Sequence, residues 1–136
     1  MLAEEGEDDV VTIVDMEAGL EHLSRGTGRH VDTLLVVMEP YYKSLETARR
    51  CAELGRELGI AQIFGVANKL RGAEDTATVR QYAASHGLGL VVEIPFDDAL
   101  YHAELAGRAP SILSESPAVR AVNSLVASLH FSEASS

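Results

Sequence analysis

Four short apolar runs alternate along the chain with stretches of helical period. Val10–Val14, Thr33–Met38, Ile60–Ala67 and Leu88–Ile94 are rich in Val, Ile and Leu, as strands covered on both faces should be. Between them the apolar positions recur every three or four residues. Ser44 is placed to cap a helix carrying Leu45, Ala48, Ala52, Gly55 and Leu58, with Gly59 to close it. Val79, Tyr82, Ala83 and His86 predict a second helix ending before Gly87. Asp97 or Asp98 can cap a third over Ala99–Ala106, stopped by Gly107 and Pro110. Ser116 and Pro117 open a fourth, with the stripe Val119, Val122, Leu125, Val126 and Leu129.

Strand alternating with helix predicts an α/β fold: an open, mostly parallel sheet with helices on both faces. With 136 residues, 46% of them hydrophobic, the chain is long enough for one domain with its own core. That domain is expected over residues 10–131, between an acidic disordered lead-in at 1–9 and a disordered tail at 132–136. A formal net charge of −10 argues against nucleic acid or anionic lipid as the main partner, since both need a positive face. No run approaches the ~20 apolar residues of a membrane span, and the first residues, MLAEEGEDDV, are acidic where a secretory signal is basic and then apolar. A cytoplasmic protein is expected. Cys51, the one cysteine, agrees with a reducing compartment.

In open parallel sheets ligands sit outside the carboxyl ends of the strands. The first run ends in Asp15, the second in Glu39-Pro40, the third in Asn68-Lys69 and the fourth in Pro95-Phe96-Asp97. A carboxylate at a strand end can hold Mg²⁺ through water, and the turn at Gly19 can bring a backbone amide toward a phosphate. An Asn amide offers both donor and acceptor to a base edge, and Pro and Phe supply a flat apolar wall. Together these are the parts of a nucleotide site. Each residue also has a plainer reading: Asp15 as a helix cap, Asn68 as a turn residue in left-handed geometry, Pro95 as a strand terminator, Phe96 as core. Lys43, Arg49 and Arg50 read as solvated helix charges. The five histidines show no i, i+4 pair on a clear helix face and no companion cysteine at ligand spacing, which disfavours a structural metal. A nucleophile elbow is absent because no G-x-S-x-G occurs. A receiver domain fits poorly, because Asp8 and Asp9 precede the first run.

DMEAGLEH at 15–22, followed by RGT, VDTLLVVMEP, SLETA, ELGI, NK and IPFD, resembles the C-terminal half of the MinD/ParA-like P-loop ATPases, a SIMIBI-type fold. It is most similar to the branch of accessory ATPases that help insert nickel into carbon monoxide dehydrogenase. The resemblance covers residues 10–130, and Glu17, where the MinD branch usually has proline, favours the nickel-accessory branch. It implies ATP and Mg²⁺ as cofactors of the complete domain. Asp15 would be the Walker B-type magnesium residue and Ala18-Gly19 the switch turn. Asn68 would contact adenine with Lys69 beside it, and Pro95, Phe96 and Asp97 would pack around the base. Guanine is disfavoured, because Arg71 stands where a guanine site needs aspartate.

The family also carries a KGGxGKT loop whose amides and lysines hold the phosphates, and no such loop occurs in these 136 residues. Arg25-Gly26-Thr27-Gly28 has neither the lysine nor a preceding strand. The nickel branch further implies a dimer with a C-x-C metal pair, whereas Cys51 stands alone. The expectation is the C-terminal part of such an ATPase, an accessory factor for nickel insertion, not competent for hydrolysis and binding no nucleotide tightly without the P-loop half. Its expected partners are that N-terminal segment or a second copy, and a metalloenzyme client. The alternative is a non-catalytic α/β remnant or interaction module that binds no nucleotide. Val10–Asp15 is expected either to pair with Thr33–Met38 or to leave exposed strand edges.

Overall fold

The computed structural model describes residues 11–16, 31–108 and 116–129. Three strands and four helices follow in the order β1 (Thr33–Met38), α1 (Tyr42–Glu57), β2 (Gln62–Leu70), α2 (Ala73–Ser85), β3 (Gly89–Pro95), α3 (Asp98–Leu105) and α4 (Pro117–Ser128). The strands form one parallel sheet in the order β1-β2-β3. The alternation of apolar runs and helical stretches therefore gives the parallel α/β architecture it predicts.

Successive strand side chains point to opposite faces, and the two faces are covered differently. Leu34, Val36 and Met38 of β1, with Ala67 and Leu88, meet Leu45, Ala48 and Ala52 of α1 and Val79 and Ala83 of α2. Small residues let α1 lie close to the sheet. A Cβ at Gly55 would stand 2.8 Å from Leu34 Cδ2, so this mid-helix glycine is explained by close approach despite its low helix propensity. On the other face Val66 and Ile94 pack on Ala118 of α4, with Leu35, Val92, Leu100 and Leu125 around them. Val37, which points to this second face, is 57% exposed.

The ends of the elements carry the local chemistry. Gly59, at φ +84°, takes the left-handed turn that ends α1. Ser116 caps α4, its hydroxyl accepting the Val119 N–H, with Pro117 in the first turn. Ser44 departs from its expected role. The cap of α1 is Tyr41, so Ser44 lies inside the helix, and its hydroxyl accepts the Glu39 N–H at 2.8 Å. A hydroxyl placed to cap its own helix is used instead to hold the end of β1. The strand expected at Ile60–Ala67 also shifts: β2 runs from Gln62 through Asn68 and Lys69 to Leu70.

The strand expected at Val10–Val14 is not formed over its described part. Residues 11–16 are irregular and pair with no strand of the described sheet. Ile13 is 88% exposed, with Val11 and Val14 about half exposed. Only Met16 reaches the core. An apolar run becomes a strand only when a neighbouring edge takes up its backbone hydrogen bonds and covers its side chains. Neither condition holds here among the described residues.

Candidate nucleotide site

The carboxyl ends of β2 and β3 converge through a bulge. Ala67 pairs with Glu93 and Leu70 with Pro95, so Asn68 and Lys69 stand where β3 supplies a single residue, Ile94. The extra residue is accommodated at Lys69, whose φ of +58° makes it the one non-glycine in the left-handed region among the described residues. Such geometry costs about 1–3 kcal/mol and collects near functional sites. The left-handed residue is thus Lys69, not its neighbour Asn68, whose plainer reading had been that conformation. Asn68 supports the bend by accepting the Lys69 N–H on Oδ1 at 3.0 Å. Lys69 Nζ then lies 3.6 Å from Glu39 Oε2, tying the ends of β1 and β2.

Past the bulge, the Phe96 N–H donates to the Leu70 carbonyl at 2.8 Å and fastens the two loops together. Pro95 is the last residue of β3. The Phe96 ring lies under the guanidinium of Arg71, 4.1 Å from centroid to carbon, and 6.2 Å from Tyr101. Arg71 is itself positioned by Asp75, which accepts its backbone N–H at 2.9 Å. An open depression of about 570 Å³ lies here, lined among others by Arg71, Thr76, Glu93, Phe96 and Asp98.

Asp97 is the most heavily bonded of the candidate residues. Its Oδ1 accepts the N–H groups of Ala99 (3.0 Å) and Leu100 (3.3 Å). Its Oδ2 accepts the Ser116 hydroxyl (2.5 Å) and the Ala118 N–H (3.1 Å). One carboxylate thus caps α3 and accepts from the start of α4. The Ser116 hydroxyl first, then the Ala118 N–H, hold its carboxyl below the usual carboxylate range. With four donors already bound, Asp97 holds the Pro95-Phe96 loop from behind and has little acceptor capacity left for a ligand.

Asn68, Lys69, Pro95, Phe96 and Asp97 are therefore brought together at neighbouring strand ends. Asp15 follows the irregular residues 11–14 and is exposed. Gly19 lies outside the described residues. Among the described residues no three His, Cys, Asp or Glu side chains gather into a metal-binding group. A single exposed carboxylate suits Mg²⁺ only where phosphate oxygens and water complete the shell. Two contacts had no local signal in the sequence. Arg71 reaches Phe96 across 25 positions, and Ser116 reaches Asp97 across 19; each contact exists only once β2, β3 and α4 are packed.

No family model matches the chain. It is 43% identical over 108 residues to the carbon monoxide dehydrogenase accessory protein CooC of Rhodospirillum rubrum, which covers 79% of this chain and 40% of that protein. It is also 39% identical over 101 residues to an uncharacterised ATP-binding protein of Methanocaldococcus jannaschii, covering 74% of this chain and 39% of that one. In three dimensions it matches the MinD cell division protein of Aquifex aeolicus with a TM-score of 0.59 at 18% identity, over 71% of this chain and 42% of that one. A chain of the MinC:MinD cell division protein complex of the same organism gives 0.60 at 16% identity, over 71% and 41%. The fold is that of MinD, and the sequence relates the chain to the MinD/ParA-like P-loop ATPase group. Within it the chain is CooC-like. It spans about 40% of the length of the curated relatives it matches.

Proposed function

We propose that the chain forms the magnesium-side and base-side part of the ATP site in an accessory ATPase that serves nickel insertion into carbon monoxide dehydrogenase. The 43% identity to the CooC accessory protein over 108 residues carries this reading. In it, residues 10–131 form the C-terminal part of the ATPase domain. Asp15 binds Mg²⁺ through water, Gly19 answers the terminal phosphate, and Asn68 and Lys69 lie beside the base with Pro95 and Phe96. Asp97 acts by holding that loop. ATP hydrolysis requires the phosphate-binding KGGxGKT loop, which is not among these residues; it is supplied by a P-loop segment outside them or by a partner. The protein works in the cytoplasm as a homodimer or joined assembly that meets a metalloenzyme client, without nucleic acid. No described helix is long and apolar enough to cross a membrane.

The test is a calorimetric titration with ATP-Mg²⁺ of the chain joined to a strand and P-loop segment of the KGGxGKT type. Binding is expected, with a magnesium dependence that Asp15→Asn weakens at least tenfold. The same dependence in that variant would remove Asp15 from its role. Failure of the joined protein to support nickel-dependent activation of carbon monoxide dehydrogenase would remove the client.

A further inference from the structure

We infer that Glu39 is a positioning residue of the nucleotide site: it holds the left-handed bend at Lys69 and, through it, the direction in which the Asn68 amide faces. This rests on the nucleotide reading above and adds to it a residue from the end of β1. The bend needs a hold. Lys69, at φ +58°, is in a conformation that L side chains rarely adopt, and neither ladder secures it. The pairing of β1 with β2 ends at Met38 and Ala67, and the register of β2 against β3 shifts between Ala67 and Leu70. The bond from the Lys69 N–H to Asn68 Oδ1 joins neighbours, so it shapes the bend without anchoring it to the rest of the sheet.

Glu39 supplies that anchor. Its own backbone is tied on both sides: its N–H donates to the Ser44 hydroxyl at 2.8 Å, and its carbonyl accepts the Tyr41 N–H at 2.8 Å. From this fixed point its Oε2 lies 3.6 Å from Lys69 Nζ and draws the lysine side chain toward β1. The Asn68 amide is fixed with it. Only the amide oxygen can accept the Lys69 N–H, which leaves the NH2 group, without an acceptor among the described residues, to a ligand. The lysine of the pair is 56% exposed and the glutamate 29%, and an ion pair so open adds little to stability. Its effect is on the geometry of the strand end.

The experiment begins with the ligand-free ¹⁵N-labelled chain. A positive φ brings the amide and α hydrogens of a residue close together, so Lys69 should show a strong NOE between them. Glu39→Gln, which keeps the shape of the side chain and removes its charge, should weaken that NOE at least twofold while leaving the urea midpoint near that of the parent. In the chain joined to the KGGxGKT-type segment, the same variant should bind ATP-Mg²⁺ at least fivefold more weakly. In a Lys69→Gly background, where glycine takes the left-handed turn without a hold, Glu39→Gln should change binding by less than twofold. An NOE unaltered by Glu39→Gln, a binding loss accompanied by a collapse of the urea midpoint, or an equal loss with and without Lys69→Gly would overturn the inference. A joined parent chain that binds no ATP would remove the nucleotide reading, while the NOE still decides whether Glu39 holds the bend, so the two fail separately.

Discussion

Among the described residues, the two faces of the sheet are covered to different degrees. Under α1 and α2, eleven buried residues form one continuous cluster, with Met38 and Val79 almost wholly enclosed. Under α4, three buried residues suffice, while Val37 on the sheet and Val122 and Val126 on the helix remain substantially exposed. The stability of this chain is therefore expected to reside on the α1/α2 face. The α4 face has apolar surface to spare, in a chain spanning about 40% of the length of its curated relatives. The candidate site lies where the two faces meet, at the strand ends.

The largest expected effect tests that asymmetry directly. Met38→Ala empties space in the closed core and should cost about 2–5 kcal/mol, read as a lower urea midpoint. Its neighbour Val37→Ala, on the opposite face, should change stability by less than about 0.5 kcal/mol. Equal losses at the two positions would show that the α4 face is as complete as the other.

Asp97→Ala comes next, because it uncaps α3 and also removes the acceptor for the Ser116 hydroxyl and the Ala118 N–H at the start of α4. At roughly 1 kcal/mol per helix start the loss should be about 2 kcal/mol by urea denaturation. If only α3 frays in hydrogen exchange, the bonds to Ser116 and Ala118 carry nothing, and the α4 face is not tied to the site through this carboxylate.

A smaller effect belongs to the seam between α1 and α2. Glu46 accepts from Arg49 at 2.9 Å and from the Tyr82 hydroxyl. Chiefly through Arg49, and then Tyr82, its carboxyl is lowered from 4.5 to about 2. A depressed folded-state value means the stabilisation is complete above about pH 4.5 and disappears as pH falls toward 2. Glu46→Gln should flatten the fall in stability across that window, measured by denaturation at successive pH values. An unchanged slope would assign the acid sensitivity elsewhere. The smallest effect is expected at the outer rim of the sheet. Arg80 grips both oxygens of Glu93 at 2.5 and 2.7 Å, yet Arg80 is exposed, so Arg80→Ala should lower the urea midpoint only slightly, and by less in high salt.

Much of this molecule can be read in one dimension. The apolar run at Thr33–Met38 is observed with those bounds. The caps at Asp97 and Ser116 were legible because a short polar side chain stands just before a helical stretch, and those signals are local. Asn68, Lys69, Pro95 and Phe96 were legible as strand-end residues for the same reason. The misread positions share a different cause. Val11–Val14 has strand composition, but a strand needs a neighbouring edge that the residue pattern does not contain. Ser44 has cap chemistry, but the end of β1 competes for its hydroxyl.

By itself the sequence determined the alternation of elements, most of their ends, and the candidate residues at the carboxyl tips, because each depends on propensity and period within a few residues. Only the tertiary structure decided how those residues divide their work. The bulge that turns Lys69 toward Glu39, the four donors gathered on Asp97 and the guanidinium of Arg71 over Phe96 all join positions distant along the chain. Such contacts come into being only when parallel strands fix their register and the helices close over them.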